Sequence, residues 1–144
     1  MVLYGVGGLV YSLLARRWLA LLGERGLALV GACFIAAGLL LLAWGPAAAW
    51  AVLGCFFAGV GFYMLHNTLQ VQATQMAPEA RGTAVTLFAC LLFLGQSLGV
   101  LAVAASVDRG WIAPVFSVAA LGVVVLGAMV SRQVKGRVVP MAAG

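Results

Sequence analysis

Residues 54–106 read GCFFAGVGFYMLHNTLQVQATQMAPEARGTAVTLFACLLFLGQSLGVLAVAAS. A long apolar run gathers polar side chains toward its end, stops at Ala77-Pro78-Glu79-Ala80-Arg81-Gly82, and restarts as a second, glycine-spaced apolar run. A soluble core has no need of two such runs joined by so little polar sequence. The pair predicts two membrane-spanning helices, and the rest of the chain reads as further spans beside them.

Composition supports this. Hydrophobic residues make up 65% of the 144 residues, charged residues only 8%, and mean hydropathy is +1.17. A soluble domain carries about 25% charged residues, so too little polar surface exists here to face water on all sides. The length holds roughly five spans of ~20 residues with short loops. Cys33, Cys55 and Cys90 fall in three different apolar runs without a Cys-x-x-Cys pair and read as small buried hydrophobes. The net charge of +5 does not point to nucleic acid, because the basic residues stand at span ends.

Five spans follow in order, at 2–18, 27–44, 49–69, 83–106 and 111–131, within a single membrane domain covering residues 1–144. The first begins at Met1 without the basic opening or clear cleavage site of a signal peptide. It reads as a span reaching Trp18 or as one clipped at its start. Gly5, Gly7 and Gly8 in it suit close helix approach. Arg16 to Gly26 reads as a basic loop with an apolar middle. In the second span, Ala28, Ala32 and Ala36 repeat every four residues and form a packing seam. Gly45-Pro46 is a turn, flanked by Trp44 and Trp50 at the interface. The third span stays helical toward Thr74, Asp108 to Trp111 is a turn, and Pro114 fits the first turn of the fifth helix. Residues 132–144 form a basic tail.

Orientation comes from the arginines and the lysine. Arg16, Arg17, Arg25, Arg81, Arg132, Lys135 and Arg137 all fall on one side of this alternation, and only Arg109 on the other. The positive-inside rule then puts the N-terminus outside and the C-terminus in the cytoplasm of a multi-pass protein of the bacterial inner membrane. The three acids, Glu24, Glu79 and Asp108, all stand outside the spans.

Chemistry concentrates on spans three and four. Tyr63, His66, Asn67, Gln70 and Thr74 share a helical arc. Lipid cannot satisfy an amide or an imidazole, so this arc meets protein, a water-filled cavity, or the wet end of the membrane. Either it lines a substrate pathway or the helix end is simply at the interface. Gln96 on span four wants a partner, which is a neighbouring helix or a ligand. Gly95-x-x-x-Gly99 reads as helix packing, as do Gly59 and Gly61. A single His excludes a multi-histidine metal site. No nucleophile stands with a base and an acid in register, and there is no phosphate loop. The sequence therefore predicts no enzyme, no catalytic residue, no cofactor and no nucleic-acid partner; its partners are the lipid bilayer and a small-molecule solute.

The stretch from Gly59-x-Gly61 through Ala77-Pro78-Glu79-Ala80-Arg81-Gly82-Thr83-Ala84 to Leu94-Gly95-Gln96-Ser97-Leu98-Gly99 resembles the second half of major facilitator superfamily transporters, nearest to bacterial drug and sugar efflux members. In that alignment the spans look like helices eight to twelve of twelve, and the loop from Arg16 to Gly26 falls where the family repeats its basic loop. The acid that commonly precedes the basic pair is missing; Leu14 and Ala15 stand there. The resemblance implies an all-α polytopic bundle with a partial major-facilitator fold, alternating access between two halves, and efflux of a small organic solute. It also implies a missing N-terminal half, helices ten and eleven on the central cavity, and helices nine and twelve outside. The competing reading is a non-transporting helical membrane protein, a scaffold or truncated relict. A small oligomeric exporter would need a membrane-embedded acid, which these spans lack.

Overall fold

Gly23 has φ 64° and ψ 176°, a region that essentially only glycine occupies. It interrupts helix α1, which runs Val2–Trp44. The computed structural model describes residues 2–134, with side chains from residue 5 onward. An unbroken helix of the 43 residues in α1 would be about 65 Å long, roughly twice the hydrocarbon thickness of a bilayer. The break at Gly23 instead folds α1 back on itself.

Contacts with helix α2, Ala48–Met76, establish that reversal. Gly7, in the N-terminal arm of α1, lies against Phe56, Gly59 and Val60, while Gly38, in the C-terminal arm, lies against Gly54 and Ala58. Both arms therefore reach the same stretch of α2. The N-terminal arm runs parallel to α2, since Leu19 and Val71, further along both helices, line one cavity. The C-terminal arm runs antiparallel, since Gly31 meets Gly61 and Met64.

The antiparallel pair is held by glycines in register. Gly31 and Gly38 on α1 face Gly61 and Gly54 on α2, backbone against backbone. A Cβ at Gly38 would stand 2.6 Å from the Gly54 carbonyl oxygen and 2.7 Å from the Ala58 nitrogen. Such a seam trades side-chain bulk for close backbone packing, which drives association where lipid leaves little hydrophobic gain. An adjoining face of the C-terminal arm presents the alanine seam, with Ala28, Ala32 and Ala36 at 0%, 0% and 7% exposure. Helix α4, Ile112–Gln133, packs there, with Gly127 on Ala32 and Val123 and Val130 against the same cluster. Leu65 of α2 completes it. A second cluster joins Tyr11, Leu27, Val60 and Met64 between the two arms and α2.

Helix α3, Arg81–Val107, is different. None of its residues is buried. All four helices are long and apolar enough to cross a membrane.

Several expectations change. The loop expected from Arg16 to Gly26 is helical on both sides of Gly23, because Leu19-Ala20-Leu21-Leu22 continues the helix until glycine allows the turn. The first two of the five expected spans are thus one folded helix, and the described residues form four helices. Among the described helices the C-terminal arm of α1 is central, because its small residues admit α2 on one face and α4 on an adjoining one. Helix α4 packs on that arm, while α3 is peripheral among the described helices. Residues 135–144 of the expected tail lie outside the described residues.

Charge separates by end. Gln72 near the end of α2 reaches Glu24, and Val134 after α4 reaches Arg25, so these ends gather at the Gly23 turn. Arg16, Arg17, Arg25, Arg81 and Arg132 stand at that end. Arg109 is at the other, where the Trp44 indole Nε1 donates to Ser117 Oγ at 3.2 Å.

Candidate functional site

The polar arc on α2 is shared between two neighbours. Tyr63 lies over Gly8 of the N-terminal arm of α1. Asn67, one turn on, lines a cavity with Tyr11, Arg16, Glu24 and Leu27, also on the α1 side. His66 turns the other way, toward α3. Its ring stacks on Phe62 at 5.2 Å between centroids and 10° between planes, and meets Phe88 of α3 at 5.4 Å and 41°. One residue of offset on a helix is ~100°, which is enough to send His66 and Asn67 to different helices. Gln70 is half-buried on α2.

His66 Nδ1 is buried and has no hydrogen-bond partner among the described residues. A neutral imidazole has one N–H donor and one acceptor nitrogen. Phe62 and Phe88 cover its faces but offer neither group. A buried polar atom left unmatched costs on the order of 1–3 kcal/mol.

On α3 the small polar side chains need no such partner. Thr86 Oγ1 donates to the Gly82 carbonyl at 2.9 Å, Ser97 Oγ to Phe93 at 2.9 Å, and Ser106 Oγ to Ala102 at 2.7 Å. Each hydroxyl is satisfied by its own helix. Gln96 has no such local carbonyl bond; it is exposed midway along α3. Gly95 and Gly99 meet nothing within 4 Å, so their close-packing role finds no neighbour among the described residues. Gly61 sits in the seam with α1, and Gly59 is buried beside Gly7.

Helix α3 leans on α2 around Phe88. Clefts of about 450 Å³ and 380 Å³ flank that ring. The first lies between α2 and α3 beside Met76 and Leu91, and the second reaches α4 at Gln133. Both lie toward the arginine-rich end.

Sequence reasoning missed three features. The Phe62–His66 stack is an i, i+4 pair visible in the sequence, but Phe88 on the next helix is not. Gln72 Nε2 donates to Glu24 Oε2 at 2.7 Å, across a separation no local pattern reveals. Glu24 opens the arm after the Gly23 break, where an acid also suits the positive end of the helix dipole. The Arg25 Nε donates to the carbonyl of Val134, the residue that follows α4, where a cation suits the negative end.

Among the described residues no group of three or more His, Cys, Asp or Glu could hold a metal. No family profile, curated protein or solved structure matches this chain.

Proposed function

We propose that this chain is the C-terminal part of a secondary transporter of the major facilitator type, working by alternating access on a small organic solute, in the direction of efflux. In this reading α1 supplies two of five crossings, the N-terminus lies outside, and the arginine-rich end faces the cytoplasm of a bacterial inner membrane. The pathway runs along α2 and α3 and is completed by helices from a preceding half.

The observation that carries the reading is α3. It is apolar enough to span, buries no residue, and exposes the Gln96 amide midway along its length. An amide facing hydrocarbon is costly, so this helix suits a protein partner or a water-filled cavity on that side. His66 supports the reading, with its unmatched Nδ1 between α2 and α3. No acid stands on these two helices between Ala48 and Met76 or between Arg81 and Val107. His66, Gln70 and Gln96 can therefore orient a solute by hydrogen bonds, and a coupling carboxylate comes from the preceding half.

The test is flux into proteoliposomes from this chain alone and from a chain extended by the spans encoded upstream in frame. The extended chain gives saturable solute flux and this chain alone gives none. Saturable flux from this chain alone, or an upstream frame without further spans, overturns the reading.

A further inference from the structure

The cavity beneath the Gly23 turn belongs to neither the α2–α3 face nor the seams. It measures about 210 Å³ and lies between the two arms of α1 and α2. For scale, a dry cavity of about 150 Å³ accepts one benzene ring. Its walls are mostly apolar, with Leu19, Leu27 and Val71 among them, and its mouth carries two opposite charges, Arg16 and Glu24.

Those two charges do not satisfy each other. No ion pair joins Arg16 to Glu24 among the described residues. Glu24 is half-buried, and the Gln72 amide holds one carboxylate oxygen at 2.7 Å. That bond fixes the carboxylate and leaves acceptor capacity on it, since an ionised carboxylate has about four lone-pair sites. Arg16 is exposed, and its planar donor fork is uncommitted among the described residues. Asn67 and Thr68 add polar atoms deeper in; the Thr68 hydroxyl already donates to the Met64 carbonyl and can only accept.

A fixed anion, a cation without an ion pair among the described residues, and a ring-sized apolar space make one chemical specification. We propose that this cavity binds a small zwitterion on an apolar body, its ammonium on Glu24 and its anionic group on Arg16. A ligand with only one charge leaves the other protein group unmatched, so the site selects for both. This head chemistry occurs free, as in an amino acid with an apolar side chain, and tethered, as in a zwitterionic lipid head group. The site lies wholly within this chain and stands or falls independently of transport.

Calorimetry on the full chain in maltoside micelles tests it, with L-phenylalanine, phenethylamine and 3-phenylpropionate as probes and dihexanoyl phosphatidylethanolamine as the lipid arm. The zwitterion binds saturably, and losing either charge weakens binding about tenfold. Saturable phenylalanine binding identifies a free source; saturable binding of the lipid alone identifies a tethered one. Arg16→Gln removes the preference for phenylalanine over phenethylamine. Glu24→Gln, which keeps an oxygen for Gln72, removes the preference over 3-phenylpropionate. Ala15→Trp fills the cavity and abolishes binding of every probe, while circular dichroism melting confirms that each variant is folded. If neither zwitterion binds, if the three aromatic probes bind alike, or if folded Ala15→Trp binds as before, the proposal is wrong.

Discussion

Replacing Gly23 by alanine isolates the backbone device that folds α1 back. Among the described residues nothing lies within 4 Å of a Cβ built at this position, so the substitution creates no clash with any of them. Its whole penalty is conformational, because φ 64° with ψ 176° is closed to an L-residue at a cost of about 1–3 kcal/mol. Alanine also stiffens the unfolded chain, which returns about 0.4–1 kcal/mol. The net loss is about 0–2.6 kcal/mol, centred near 1.3 kcal/mol, which is roughly a tenfold shift in the folding equilibrium. Gly122 on α4 is the control. It is helical and equally open, so alanine there stabilises by about 0.5–1 kcal/mol. The same substitution thus has opposite signs at two sites of equal free space. Tryptophan fluorescence through a dodecyl sulfate titration in mixed micelles measures both. D-alanine introduced at residue 23 by semisynthesis accepts the angle and returns stability to the wild-type level or above. If Gly23→Ala is as stable as the wild type, or gains as Gly122→Ala does, the glycine-only reversal is wrong.

Gly38→Ala drives a methyl into the Gly54 carbonyl and Ala58 nitrogen, backbone atoms that yield only if α1 and α2 separate. The same titration should show a loss of about 1–3 kcal/mol; a neutral result would mean that the helices do not pack through these glycines. Gln72→Ala removes the half-buried bond to Glu24 and should cost about 1–2 kcal/mol, with Gln72→Asn too short to rescue it; an unchanged titration midpoint would count against that tie. Reporter fusions after Pro46 and after Gln133 should report opposite sides, with the second cytoplasmic. Both on one side would contradict the crossing order of α1 to α4.

What the sequence made legible was what repeats locally. The apolar runs, the Gly45-Pro46 and Asp108–Trp111 turns, and the alanine seam of Ala28, Ala32 and Ala36 all carry a short-range signal, and the structure has helices, turns and a buried seam there. The Gly23 reversal was hidden because arginines on both sides made residues 16–26 look like a loop, while its apolar middle is good helix. The split of the polar arc was hidden for another reason. Tyr63, His66 and Asn67 do lie on one arc, but whether an arc faces one helix or two depends on where its neighbours stand. That is set by the glycine seam between α1 and α2, whose partners are far apart in the chain. The peripheral position of α3 left no mark in its composition, which is as apolar as that of its packed neighbours.

The central claim is that the α2–α3 side lines a solute pathway, and single-cysteine labelling tests it most directly. Cys33, Cys55 and Cys90 are free thiols and are first replaced by serine or alanine. Cysteine is then placed singly at His66, Gln70 and Gln96, with Tyr63 and Asn67 as positions on the α1 side and Leu39 and Val124 as half-buried controls. The chain, extended by the preceding half that the proposal requires, is treated in membranes with a water-soluble thiol reagent with and without the proposed solute. The account predicts reaction at 66, 70 and 96 with protection by solute, and none at 39 and 124. Equal reaction at the pathway and control positions, or no protection at 66, 70 or 96, would contradict it.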